Sequence, residues 1–250
     1  MGGKGSDTRW AETTYGYAMM KTLSGFILTA ALLLASVTAQ AGLPEAESAY
    51  QSKNFKAAIR EFEPLAVSGV AAAQFYIGLM FDNGEGLPQS HQRAMGWYLK
   101  AAKQGYAPAQ SNLGVIYERG TNVDLSLKEA VSWYRKAAAR GYAPAQFNLG
   151  LLYYNGRGDI LRSYKEAASW YLKAAEQGYA VAQNSVGNMY ENGLGLRISL
   201  VQAYKWYSLA AEAGNEMAQI NKAAVEVKMA PDMIEKAQAL AQQWLAKHKK

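Results

Sequence analysis

The chain has 250 residues, 50% of them apolar and 12% aromatic, so it holds enough apolar material for a packed core and is not intrinsically disordered. It contains no cysteine, which excludes disulfides, a thiolate nucleophile, cysteine-ligated zinc and a lipid-modified cysteine. The formal charge of +6 does not indicate nucleic-acid binding, because that needs a clustered basic stripe, and three of these charges lie in the tail at Lys247, Lys249 and Lys250.

The first 41 residues have the pattern of a leader and not of a domain. Residues 1–19 are glycine-rich and polar without a helical pattern, which indicates disorder or an upstream-start artefact. In residues 20–41, Lys21 precedes an apolar run over 23–37 and then small residues, which is the layout of a secretory signal peptide. We therefore expect cleavage after Ala41 and a periplasmic or secreted protein. The alternative is an uncleaved anchor, since the apolar run approaches the shortest length that spans a bilayer.

Residues 43–70 predict a degenerate N-terminal repeat that caps the domain. Ala49, Phe55, Ala58, Phe62 and Leu65 recur at helical spacing, so each predicted helix has one apolar face. A capping unit is expected there because a stack of repeats must cover the apolar face of its first member.

Two dipeptides then recur in one register and define an internal repeat. The dipeptide Ala-Gln occurs at intervals of 36, 36, 37 and 36 residues, at 73–74, 109–110, 145–146, 182–183 and 218–219. The dipeptide Trp-Tyr occurs at intervals of 36, 37 and 36 residues, at 97–98, 133–134, 170–171 and 206–207. The resulting repeats are residues 71–106, 107–142, 143–179 and 180–215. The single longer interval places one inserted residue in the loop from Gly158 to Ser163.

Each repeat predicts two helices. The first follows the alanines before Gln, has Pro108 or Pro144 at its start in two repeats, and ends at a loop glycine such as Gly120. The second carries alanines and the Trp-Tyr pair on one apolar face, so both aromatic residues of each pair are predicted to be core. Residues 216–247 predict capping helices, the last beginning at Pro231. The expected fold class is therefore all-α.

The motif residues carry a family resemblance. The pattern Ala-x-x-x-Leu-Gly-x-x-Tyr, at Ala109, Leu113, Gly114 and Tyr117, followed by the loop glycines and the Trp-Tyr helix, resembles the Sel-one-like repeat family, which is related to tetratricopeptide repeats. The resemblance implies a right-handed α/α solenoid and an adaptor that assembles other proteins. Some secreted, cysteine-rich members are associated with penicillin binding or β-lactam hydrolysis, which leaves a β-lactam-hydrolysing enzyme or a peptidoglycan binder as the alternative function. The absence of cysteine and of a Ser-x-x-Lys pair argues against it.

The sequence offers little material for catalysis or metal binding. His91 and His248 are the only histidines, and Asp82, Asp124 and Asp159 fall at helix ends or loops in three different repeats, where solvated turns are the expected role. We therefore predict no enzyme activity, no metal and no cofactor. We also predict no nucleic-acid partner, and contact with a membrane only through an uncleaved signal segment.

Comparison of the repeats with one another indicates a binding face. Counted from the Gln of each of the four repeats, the third and sixth residues are always apolar and are predicted to pack, whereas residues one, five and eight differ between repeats and share one helix face. We call the residues at these three positions the first-helix face, and expect it to line a concave groove that binds a protein or peptide. The alternative is that its apolar members only pack between neighbouring repeats. The predicted contact residues are Phe75, Leu79, Ser111, Val115, Phe147, Leu151, Tyr154, Asn184 and Asn188.

Overall fold

The computed structural model describes residues 42–121, 123–157 and 160–248. Within these ranges every regular element is a helix, so the predicted all-α repeat fold is confirmed. The predicted leader over residues 1–41 and the inserted-loop residues Gly158 and Asp159 lie outside the described residues. Internal contacts divide the chain into two compact units, Met1–Ile77 and Gly78–Lys250, and each is described by itself below.

The described ranges contain twelve helices, here numbered in chain order. They are α1 Leu43–Gln51, α2 Phe55–Val67, α3 Ala71–Asn83, α4 His91–Lys103, α5 Ala107–Arg119, α6 Leu127–Ala139, α7 Ala143–Asn155, α8 Tyr164–Ala175, α9 Ala180–Asn192, α10 Leu200–Glu212, α11 Glu216–Glu226 and α12 Pro231–His248. In the described part of the chain, none of these helices combines the length and the apolar character needed to cross a bilayer.

The first unit packs around one buried ring. Phe62 of α2 is fully buried and stacks on Tyr76 with 4.7 Å between ring centroids. Tyr50 of α1 also contacts two aromatic rings of this unit. Its ring centroid lies 5.2 Å from that of Tyr76 and 5.8 Å from that of Phe55. Of the five apolar residues that predicted a capping repeat, Ala58 and Phe62 are fully buried, whereas Ala49, Phe55 and Leu65 are only partly buried.

In the second unit each helix from α4 to α10 packs against the helix that follows it, and α12 packs on α10. This nearest-neighbour arrangement is typical of repeat proteins. The third and sixth residues after each Gln were predicted to pack, and all of them are buried, which confirms that prediction. These residues are Ile77, Leu113, Leu149 and Val186, and Met80, Ile116, Leu152 and Met189.

A serine begins every second helix of the four repeats. The hydroxyl oxygens of Ser90, Ser126, Ser163 and Ser199 accept a hydrogen bond from the backbone N–H three residues on, each at 3.3 Å. This cap satisfies one of the N–H groups that a helix start leaves unpaired. Sequence reasoning did not identify these serines, although they recur at the same intervals of 36, 37 and 36 residues as the Trp-Tyr pairs.

A glycine four residues after each Gln lets the two helices of a repeat touch. A Cβ atom on Gly114 would lie 2.5 Å from two ring carbons of Tyr134, closer than real Cβ contacts allow. Equivalent contacts join Gly78 with Tyr98, Gly150 with Tyr171 and Gly187 with Tyr207. The glycine in the Leu-Gly-x-x-Tyr motif is therefore the space into which the tyrosine of the Trp-Tyr pair fits.

In the four repeats, the glutamine of the Ala-Gln pair ties its helix to the preceding one. The amide nitrogen Nε2 of Gln110 donates to the carbonyl oxygen of Ala102 at 3.0 Å, and that of Gln183 donates to Ala175 at 3.2 Å. Gln146 makes the same bond to Ala138, and its oxygen Oε1 also accepts from Gln177 at 2.7 Å. The corresponding oxygens of Gln110 and Gln183 are buried without a partner.

The predicted aromatic core is only partly correct. The four tyrosines of the Trp-Tyr pairs and Trp206 are buried, which confirms the prediction for them. Trp97, Trp133 and Trp170 are only partly buried, so the prediction is wrong for these three. The ammonium group of the lysine three residues later lies 3.8 to 4.0 Å from each indole centroid. A cation–π contact with lysine therefore covers one face of each of these three rings.

Gly114→Ala should destabilise the protein by about 1–3 kcal/mol, because the added methyl group forces Tyr134 or the helices apart. Gly96→Ala is the matched control, since that glycine lies on an exposed face of α4 with no atom within 4 Å of an added Cβ. The control should gain about 0.5–1 kcal/mol from helix propensity. Urea unfolding of both variants measures the difference, and equal stability of Gly114→Ala and the unchanged protein would contradict the packing role.

Ala213→Gln should stabilise the protein by about 1 kcal/mol. Ala213 precedes the glycine that follows α10, as Gln177 precedes the glycine that follows α8, so a glutamine there can donate to the unpaired Oε1 of Gln183. Ala213→Met is the control of similar length without a donor. If thermal unfolding shows the same midpoint for both variants, the missing hydrogen bond is not the cause.

Candidate functional site

The first-helix face is most apolar in the third repeat. The ring of Phe147 stacks on Tyr171 with centroids 5.3 Å apart and meets the ring of Tyr179 edge-on at 5.7 Å. The ring of Tyr154 lies 5.2 Å from that of Tyr164. Leu151, between Phe147 and Tyr154 on the helix, has 36% of its surface exposed. The structure thus places one exposed leucine between two aromatic side chains that are partly packed within their own repeat.

The predicted residues of the second and fourth repeats differ from this arrangement. Ser111 is only 4% exposed, and Val115 packs partly buried against the core that surrounds Tyr134. Asn184 and Asn188 are half-buried, and the side-chain oxygen Oδ1 of Asn184 accepts from Asn221 Nδ2 at 2.9 Å. The fourth repeat therefore offers amide groups, and the second offers little accessible surface.

In the first repeat, residues 71–106, the two predicted contact residues belong to different compact units of the chain. Phe75 belongs to the first unit, where its ring meets that of Tyr76 edge-on at 5.5 Å. Leu79 belongs to the second unit and is partly buried. Both side chains thus keep part of their surface accessible.

The eighth residue after Gln is less free to vary than the sequence comparison indicated. Oxygen Oε2 of Glu118 accepts from the hydroxyl of Tyr134 at 2.8 Å, and its other oxygen Oε1 accepts from Arg157 at 2.7 Å. In the fourth repeat, Glu191 accepts from Tyr207 at 2.9 Å and from Lys228 at 2.7 Å. Each carboxylate therefore links a tyrosine of its own repeat to a basic residue 37 or 39 positions further along the chain.

The eighth position after Gln holds Asp82 in the first repeat and Tyr154 in the third. Asp82 accepts from the hydroxyl of Tyr98 at 3.2 Å through Oδ2, and its Oδ1 lies 2.7 Å from Nδ1 of His91. In the third repeat, Tyr154 replaces the carboxylate and lies beside Tyr171. Sequence reasoning treated Asp82 as a turn residue and missed its hydrogen bonds. The recurrence of an acid at 82, 118 and 191 was the available signal.

Burial and the nearby acids raise the pKa values of these tyrosines. The pKa of Tyr134 lies above its ordinary value of 10.0, first because the ring is buried and then because the charge of Glu118 opposes a second negative charge. The pKa of Tyr207 is raised by burial and by its hydrogen bond to Glu191. In Tyr171, which has Tyr154 as neighbour instead of an acid, burial is the largest cause. All three hydroxyls therefore act as hydrogen-bond donors or stay neutral, and none is an activated base.

The histidines and acids do not converge on a metal or catalytic centre in the part of the chain that the structure describes. Across residues 42–121, 123–157 and 160–248, no three His, Asp or Glu side chains lie where they could hold one metal ion. His91 pairs with Asp82, and Nδ1 of His248 lies 2.8 Å from the backbone oxygen of Trp244.

Comparison with known proteins gives one family and several related folds. The family model for the Sel1 repeat matches residues 71–106, 107–142, 143–179 and 180–215. The crystal structure of a Sel1 repeat protein from Oxalobacter formigenes is 34% identical, with a TM-score of 0.67, and the alignment covers 81% of this chain and 82% of that one. No curated protein matches the chain.

Two further solved structures share the fold. The protective antigen c5321 of uropathogenic Escherichia coli, which displays an SLR fold, is 29% identical, with a TM-score of 0.51, over 77% of this chain and 49% of its own. The immunity protein Pa5087 of Pseudomonas aeruginosa is 17% identical, with a TM-score of 0.51, over 80% of this chain and 82% of its own. At that identity, the likeness to Pa5087 shows the fold alone.

The raised tyrosine pKa values predict loss of stability at alkaline pH. The folded chain holds the hydroxyl protons of Tyr134 and Tyr207 to higher pH than the unfolded chain, so their stabilisation is complete below pH 10 and falls as the pH rises above it. Tyr134→Phe removes one of these groups and should make the decline between about pH 9.5 and 11 shallower. Urea unfolding across this range measures the slope, and equal slopes for variant and unchanged protein would contradict the assignment.

Proposed function

The chain belongs to the Sel1 repeat family, and from that membership we propose that it is an interaction scaffold that binds a protein or peptide on its first-helix face. Sel1 repeats generally mediate protein–protein interactions. The proposal adds that the face is concave, and that the protein works in the periplasm or outside the cell after cleavage following Ala41. The signal-peptide pattern supports that location.

The observation that carries the proposal is the apolar face of the third repeat. Glu118 and Glu191 place a carboxylate at the eighth position of the second and fourth repeats, whereas Tyr154 makes this position uncharged in the third. Leu151 is accessible beside Phe147 and Tyr154, whose rings are held by their contacts with Tyr171. An accessible apolar side chain between preorganised aromatic rings is the kind of surface that forms the centre of a protein interface.

The neighbouring residues of the fourth repeat favour a polar contact at one side of this centre. Asn184 and Asn188 are half-buried amides in the same positions of α9 as Phe147 and Leu151 in α7. Because Asn184 already accepts from Asn221 through Oδ1, its amide nitrogen is the group that can donate to the backbone of an extended peptide without adding charge. The partner that fits best is therefore a segment with one large apolar side chain for the third repeat and free backbone groups beside it.

Leu151→Glu should weaken binding of the partner at least tenfold, because it places a charge at the centre of the proposed apolar contact. Leu161→Glu is the matched control, since Leu161 is 87% exposed and lies outside the first-helix face. Both variants should keep the fold, because neither side chain is buried. Affinity capture from an envelope extract, followed by quantitative mass spectrometry, should show proteins that are lost with Leu151→Glu and retained with Leu161→Glu.

Two results would contradict the proposal. The first is a captured set that is the same for both variants and the unchanged chain. The second is hydrolysis of nitrocefin, or co-sedimentation with peptidoglycan sacculi, without any captured protein, which would support the enzymatic or cell-wall alternative.

A further inference from the structure

Helix α11 is a fifth copy of the first helix of a repeat. Ala218 and Gln219 continue the Ala-Gln series, and Ala218 is fully buried as in the earlier copies. Ile220, Ala224 and Val227 therefore occupy positions one, five and eight of the first-helix face. The family model ends at residue 215, so this copy lies beyond the four matched repeats.

The outer face of α11 is both apolar and exposed. Met217 is 56% exposed, Ile220 is 62% exposed and Val227 is 85% exposed, and Ala223 and Ala224 are exposed between them. The last helices of a repeat array are expected to be polar on the outside. A cluster of exposed large apolar side chains on one helix indicates that another surface covers it.

Two polar side chains of α11, those of Asn221 and Lys222, bind their own chain. Asn221 Nδ2 donates to Asn184 Oδ1 at 2.9 Å, and the ammonium group of Lys222 lies 5.2 Å from the ring centroid of Tyr204. Covering the apolar face therefore does not require either polar group to lose its contact. This arrangement removes the desolvation cost that polar residues would add to an interface.

The spacing of the apolar residues fits a second copy of the same helix. Met217, Ile220, Ala224 and Val227 are separated by 3, 4 and 3 residues, which is the heptad spacing of two packed helices. If two copies of α11 pack antiparallel about Lys222, Met217 faces Val227 of the other copy and Ile220 faces Ala224. The larger side chain of the second pair thus meets a small one, as close packing requires.

Charge also favours the antiparallel arrangement. Glu216 lies at the start of α11, and Lys228, which pairs with Glu191 and is still 55% exposed, lies just after its end, so antiparallel packing brings opposite charges to the same end of the pair. Parallel packing would instead bring Glu216 next to its own copy. The antiparallel pairing also sets the helix dipoles in opposite directions.

We propose that the chain forms a two-fold symmetric dimer in which α11 packs antiparallel against α11 of a second copy. The contact is one helix face per copy, which is small for a stable interface, so the dimer should dissociate in the range of about 1 to 100 µM. The dimer uses the α11 end of the first-helix face, whereas the proposed partner contact is centred on Leu151 of α7, so different substitutions test the two proposals. Each proposal can therefore fail without the other.

Sedimentation of the purified chain between about 1 and 200 µM should show a reversible monomer–dimer equilibrium. The double variant Ile220→Glu, Val227→Glu should weaken dimerisation at least tenfold, whereas Leu161→Glu should leave it unchanged. Far-UV circular dichroism should show the same helix content for all three proteins, since every substituted side chain is exposed. A chain that stays monomeric throughout this range, or a dimer that the double variant leaves intact, overturns the proposal.

The absence of native cysteine allows a second experiment on the helix direction. Oxidation of a mixture of Met217→Cys and Val227→Cys chains should give cross-linked dimers that join position 217 to position 227. Either variant alone should cross-link at least tenfold less, because like positions lie at opposite ends of an antiparallel pair. Efficient cross-linking of Val227→Cys with itself overturns the antiparallel arrangement.

Discussion

The contact between a glycine of the first helix and a tyrosine of the second is the interaction on which each repeat depends. Gly114 and Tyr134 show it most closely, since any side chain on the glycine would overlap the ring. Close approach places the tyrosine hydroxyl within hydrogen-bond distance of Glu118, one turn further along the first helix. The same approach buries the alanines on both helices, such as Ala109 and Ala130. The glycine therefore determines three features of the repeat. These are the close packing of the two helices, their register, and the hydrogen bond from the tyrosine hydroxyl to the acid.

Hydrogen bonds between repeats continue this order along the second unit. Gln110 and Gln183 bind the end of the preceding helix, whereas Glu118 reaches forward to Arg157 and Glu191 reaches forward to Lys228. The third repeat lacks the forward ion pair because Tyr154 stands in place of the acid. Tyr154 lies beside Tyr171 there, and Phe147 stacks on the same ring, so the first-helix face of the third repeat has no charged member. The local change that removes an ion pair therefore also creates the candidate binding surface.

Sequence alone predicted the helices and the core because both depend on residues that recur at fixed positions. Leu113 and Ile116 were identified as core, for example, since every repeat has an apolar residue there. Exposure within a variable column was not predictable, because it depends on which side chains neighbouring helices contribute. Ser111 and Phe147 hold equivalent positions, yet the serine is buried and the larger phenylalanine keeps part of its surface exposed. The partial exposure of Trp133 and the contact of Glu118 with Arg157 likewise depend on distances between helices, which periodicity does not contain.

The central claim is that a partner contacts the first-helix face of the third repeat. Site-specific photocross-linking tests it most directly, with a benzophenone amino acid placed at position 151 and, in a separate chain, at position 161. One partner should be cross-linked from position 151 and not from position 161, although the side chain at position 161 is the more exposed of the two. Cross-linking of the same proteins from both positions, or only from position 161, would contradict it.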